Sequence, residues 1–248
     1  MPNFENKIAV IRDVRLKGIS QLRMSASSPE KDRTGSASNM VAIALRFLAV
    51  AEYYLNNDVI AFRELLSECA RVRLRIFERY DDGEKISPSY VSMLSYKATF
   101  NALAANNMEL AQAISERAGG REDVEQEYDR PFDVALGYAL KSVVLRNENS
   151  AQRYLDVLAD ECEQVSNHDF RGYEIALRGI VESNCELVNS GLKSIVDGHR
   201  RQCKAGELFS DMEDELICVW GVGVANLARS RGLAIDVVPP FIPEDLVC

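Results

Sequence analysis

Residues 172–203 read GYEIALRGIVESNCELVNSGLKSIVDGHRRQC, and this stretch decides the fold. Tyr173, Ala176, Leu177 and Ile180 recur at i, i+3, i+4 and i+7, which is one face of a helix. Val188, Leu192, Ile195 and His199 form a second stripe, with Leu187 and Gly191 beside it. Ser183-Asn184 is the short polar break between the two. Two helices joined so tightly run antiparallel, so the stretch spells an αα-hairpin.

The same unit recurs outward from it. Polar breaks containing asparagine fall at 56, 106, 147 and 184, each between two helical patterns. The apolar periodicity predicts helices over 5–24 (Ile8, Ile11, Leu16, Ile19, Leu22), 41–55, and along Phe62, Leu65, Leu66, Cys69, Val72 and Ile76. Further helices are expected at 88–105, 107–117, 131–146 and 150–165, with a last long one near 213–231. The breaks are irregularly spaced, and the roughly 34-residue tetratricopeptide signature is absent. The expected fold class is therefore all-α: stacked antiparallel helical hairpins forming a bundle or irregular solenoid-like array. A brief extended segment at 233–238 is the sole departure expected. Ser25 to Ser38 has no apolar residue larger than alanine and reads as a loop or mobile segment. This divides the chain into an N-terminal helix and mobile loop (1–38) and one all-helical domain (39–248).

Composition excludes several function classes. At 47% apolar and 27% charged, 248 residues can bury a full core, which excludes a disordered chain. No apolar stretch approaches the roughly 20 residues needed to cross a bilayer, and charges interrupt the first 18 residues, so no membrane partner and a cytoplasmic location are expected. The six cysteines are scattered with no CxxC pair and read as small buried hydrophobes rather than a disulfide framework. The net charge is −9, and residues 81–248 carry 16 Lys/Arg against 29 Asp/Glu. Nucleic acid is a poor partner for that part, because phosphate binding needs a basic footprint. A basic protein partner is electrostatically easier.

The inventory of catalytic candidates is thin. Only His168 and His199 are present, and His199 continues an apolar stripe, so a core role is expected. No HExxH, CxxC or G-x-S-x-G pattern occurs, so no catalytic residue, metal or cofactor is expected. The string Gly221-Val222-Gly223 has asparagine, Asn226, at the third glycine position and no preceding strand, so helix packing is its expected role. Trp220 is expected in the core. Arg71, Arg73, Arg75 and Arg79 interleave with Glu64, Glu68 and Glu78, which reads as a solvated helix face.

The C-terminal third carries a resemblance. SGLKSIVDGHRRQC, then EDELICVWGVGVANLARSRGLAID, then VPPFIPEDLV follow in order. This series resembles the immunity protein 49 family of bacterial polymorphic-toxin systems. The similar features are the aliphatic helix leading to His199, the Ala-rich helix ending Ala228-Arg229-x-Arg231-Gly232-Leu233, and Pro243-x-x-Leu246. The resemblance spans about residues 39–247 and is specific only over 190–247. It implies an all-helical cytoplasmic protein that binds and neutralises one cognate toxin domain, with no catalytic residues to carry over. An acidic surface suits a basic toxin such as a nuclease, whose own substrate is anionic. The acidic connector Glu122, Asp123, Glu125, Glu127, Asp129 and Asp133 is the candidate contact surface, against a plain interhelical loop. The alternatives are a helical-repeat adaptor unrelated to toxins, and an enzyme or small-molecule binder with a deep polar pocket.

Overall fold

The computed structural model describes Phe4 and residues 7–248, so the first residues of the helix expected from 5 lie outside the described part. Among the described residues there are eleven α-helices and no strand. In chain order they are α1 (Ile8–Ala26), α2 (Ser36–Asn56), α3 (Val59–Asp81), α4 (Lys97–Ala104), α5 (Met108–Arg117) and α6 (Glu122–Tyr128), then α7 (Pro131–Val144), α8 (Glu148–Cys162), α9 (Arg171–Val181), α10 (Cys185–Gln202) and α11 (Val219–Ser230).

Four hairpins, α2/α3, α4/α5, α7/α8 and α9/α10, are closed by one recurring turn. A non-glycine residue enters the left-handed region: Asn57 (φ 52°), Asn106 (55°), Arg146 (57°) and Ser183 (54°). The next residue is Asp58, Asn107, Asn147 or Asn184, whose side chain accepts the N–H of Ala61, Leu110, Ser150 or Leu187 respectively. The backbone N–H of the last three caps also returns to Ala102, Ser142 and Gly179 at 2.9 Å, closing the preceding helix. Orphan groups at both helix ends are thus satisfied within two residues. This is why the asparagine breaks marked the turns.

Successive hairpins contact one another through α3 with α4, α5 with α7, and α7 and α8 with α9, so they stack in chain order. The last helix does not extend the stack. α11 returns against α4, α9 and α10, and every residue from Val219 to Ala228 is buried. A helix that is apolar all round belongs inside, and the hairpins wrap it. Its one polar interior residue, Asn226, donates to the Leu103 carbonyl at 3.0 Å and accepts the Cys248 N–H at 2.9 Å. Trp220 stacks on Phe100 at 5.4 Å with Tyr96 and Tyr173 edge-on, so its core role is as expected.

The α9/α10 hairpin is packed closer than its apolar stripes suggest. A Cβ on Gly172 would lie 2.3 Å from the Ile195 nitrogen, and one on Gly191 would lie 2.4 Å from the Ala176 nitrogen. The two backbones meet through these glycines. Gly223 does the same for α11, where a Cβ would lie 2.9 Å from the Phe100 carbonyl oxygen.

Several local expectations are corrected. The helix expected from 88 begins only at Lys97, after 3-10 turns at Pro88–Tyr90 and Met93–Tyr96. The distant Asp129 carboxylate accepts the N–H groups of Met93 and Leu94 at 2.7 and 2.9 Å and caps the chain there. The helix expected from 213 begins at Val219, because Glu213 and Asp214 are drawn to Arg46 and Cys218 N–H bonds to the Phe241 carbonyl. The stretch expected as a mobile loop is a run of turns from 27 to 35 organised by Asp32, which is 0% exposed. Asp32 accepts from the Ser38 N–H and hydroxyl and pairs with Arg79 at 2.6 Å. Nor is residue 38 a boundary, since Phe4 packs on Phe47 and Ile19 shares a cluster with Val41, Leu45 and Cys69. The segment 233–238 is irregular and not a strand. Asp32→Ala is expected to cost about 2–3 kcal/mol, because it removes a buried carboxylate and leaves the Ser38 N–H and hydroxyl without their acceptor and Arg79 with Glu84 as its only ion pair among the described residues. A urea midpoint equal to that of the parent would contradict this.

Candidate functional site

A cleft of about 540 Å³ lies between α2, α3, the start of α4 and the segment 208–214 that precedes α11. Its walls follow from helix periodicity. α2 contributes Asn39, Ala42, Ile43 and Arg46, one face at i, i+3, i+4 and i+7; α3 contributes Cys69 and Arg73, one turn apart. Lys97, Ala98 and Asn101 come from α4, and Trp220 closes the inner end from α11. Four exposed apolar side chains, Met40, Ile43, Leu208 and Met212, lie on these same elements, and the last three line the opening.

Inside, the charges are unevenly compensated. Arg46 holds Glu213 through Nη1 and Asp214 through Nη2 at 2.6 Å, and all three side chains are largely buried. Burial works against the Arg46 charge, but Asp214 and Glu213 outweigh it and hold the pKa above its ordinary value. Arg73 differs. Its guanidinium donates to the Asn39 Oδ1, the Tyr90 carbonyl (2.8 Å) and the Ser95 hydroxyl (2.7 Å), all uncharged. Burial lowers its pKa, and it makes no ion pair among the described residues. Lys97 Nζ lies 5.5 Å from the Trp220 ring centroid, a cation–π distance. The sequence had put Arg73 on a solvated face. Only Arg71 and Arg75 of that arginine series are exposed, while Arg79 is bound to Asp32 and Glu84.

The cleft lining contains no histidine. Burial pushes the Cys69 thiol up to about 11 despite Arg46 and Arg73 nearby, so it stays protonated near neutral pH. Ser95 donates to the Tyr90 carbonyl and has no general base beside it. His199 lies behind the cleft, with Nε2 2.6 Å from the Asp214 carbonyl, and it packs between Phe209 and Phe241. It holds the 208–214 segment in place. His168 is exposed in a 3-10 turn.

The six acidic candidates separate into two groups. Glu125 is buried and accepts from the Tyr138 hydroxyl at 3.1 Å; Asp129 caps residues 93 and 94; Asp133 is buried against the Tyr96 hydroxyl and Arg130. These three serve the fold. Glu122, Asp123 and Glu127 are exposed on α6, which is a helix and not the loop expected there. They make no ion pair among the described residues. Tyr138 of α7 links α6 to α8: its hydroxyl donates to Glu125, and its ring stacks at 4.7 Å on Tyr154, which Arg153 covers.

No helix among the described residues is long and apolar enough to cross a membrane, and none of their His, Cys, Asp and Glu side chains group as a metal site. Comparison with protein-family models, with curated proteins and with solved structures gave no match.

Proposed function

We propose that this chain is an immunity protein that binds a cognate bacterial toxin domain and neutralises it by direct contact, in the cytoplasm, without catalysis. The observation that carries the reading is α6, which presents the exposed carboxylates of Glu122, Asp123 and Glu127 together with the exposed Tyr128. Unpaired like charges on one surface cost the monomer a little through mutual repulsion, and an oppositely charged partner turns that cost into attraction. The aromatic side chain among them supplies the anchor that a charged rim lacks. A basic domain, such as a nuclease, fits both features. The resemblance over residues 190–247 supports the same reading, and the buried hairpins supply a rigid platform for it.

The test is co-expression with the toxin domain encoded beside this protein, followed by purification of the pair. Protection and a stable complex are expected. The triple variant E122K/D123K/E127K is expected to slow association about tenfold or more at low salt, with thermal stability unchanged because all three side chains are exposed. Unprotected cells with no complex would sink the proposal. Full-rate binding by the triple variant would move the contact surface elsewhere.

A further inference from the structure

The cleft between α2, α3 and α4 holds none of the exposed α6 carboxylates, and part of its own charge has no counter-ion. Three cations and two carboxylates line it: Arg46, Arg73 and Lys97 against Glu213 and Asp214. Both carboxylates belong to Arg46. Arg73 and Lys97 therefore face the same space without a counter-ion, and the cleft as a whole holds one excess positive charge. A buried guanidinium paired only with neutral oxygens is costly, and proteins retain such groups where a ligand completes them.

Shape and lining narrow the ligand. A cleft of about 540 Å³ lies within the usual range of small-molecule sites, about 300–1,000 Å³. Lys97 stands over Trp220, while Ile43, Leu208 and Met212 make the opening apolar. One excess charge is neutralised by a monoanion and overshot by a dianion. Asn39, Tyr90 and Ser95 take one N–H of Arg73 Nη1 and both of Nη2, which leaves its other N–H groups and the Lys97 ammonium for the anion.

We propose that this cleft is a binding site for a small organic monocarboxylate with an apolar tail, its head group held by Arg73 and Lys97 and its tail lying toward the apolar opening. The site can be tested on the protein alone.

Trp220 is the only tryptophan in the chain and lines the cleft, so its emission reports occupancy directly. Titration with octanoate and hexanoate is expected to change that emission saturably, with octanoate binding more tightly, and with hexanamide and inorganic phosphate giving no saturable change. Lys97→Met, at an exposed position whose loss leaves the fold intact, is expected to weaken octanoate about tenfold, one lost charge-assisted contact. Arg73→Gln is expected to abolish binding; if it fails to fold, Lys97→Met alone decides. Equal response to hexanamide, unaltered affinity in Lys97→Met, or no saturable change with either carboxylate overturns the proposal. So does saturation by phosphate with octanoate silent.

Discussion

Gly191→Ala is expected to destabilise the protein by about 3 kcal/mol, read as a lower urea midpoint with an unchanged slope. Two effects oppose each other at this position. Alanine is the better helix former by about 1 kcal/mol, which alone would stabilise α10. Against it, the new Cβ would lie 2.4 Å from the nitrogen and 2.6 Å from the Cα of Ala176, both backbone atoms of α9. No rotamer relieves a clash between a methyl group and a helix backbone. The two helices must separate, and the loss of packing along the hairpin exceeds the gain in propensity. Gly18→Ala is the control. Gly18 lies within exposed α1 with nothing within 4 Å of its would-be Cβ, so there the same substitution is expected to stabilise by up to about 1 kcal/mol. Equal effects at the two positions would show that α9 and α10 do not meet through glycine.

Arg46→Met is expected to cost on the order of 3–5 kcal/mol. The methionine fills much of the volume, so the loss is electrostatic. Glu213 and Asp214 remain, 11% and 6% exposed in their side chains, with the cation that compensated them gone. The segment they belong to sits between α10 and α11 and also accepts the His199 hydrogen bond through the Asp214 carbonyl. The variant R46M/E213Q/D214N removes the uncompensated charges and is expected to recover most of the loss, because a neutral set of similar shape carries no buried ionic penalty. If Arg46→Met were as stable as the parent, the triad would be solvated and of no structural weight.

The hairpins were legible in the chain because each helix end satisfies itself locally. Asn106-Asn107 and Ser183-Asn184 announce both the stop of one helix and the start of the next, and the structure uses them so. The α4 start was not legible, because its cap, Asp129, comes from a different helical connection. The true start of α11 depends likewise on Arg46, far away on α2. The charged cleft was hidden for a related reason. Arg73 shares its helix with Arg71, Arg75 and Arg79, and only the packing of α2 and α4 against α3 selects which of them turns inward. Of the acidic connector, sequence alone could not separate Glu122, Asp123 and Glu127 from Glu125, Asp129 and Asp133, each of which has a partner on another element: Tyr138, Met93 with Leu94, and Tyr96.

The recurring turn has a consequence for how the molecule assembles. Each hairpin is closed by two or three residues, so it forms at small loop entropy and draws on neighbours in the chain. The stacking of Trp220 on Phe100 is of the opposite kind: it joins the last helix to the second hairpin across nearly half of the chain. Four units can therefore close early and independently. The final insertion of α11 is the slow and cooperative event that makes them one body.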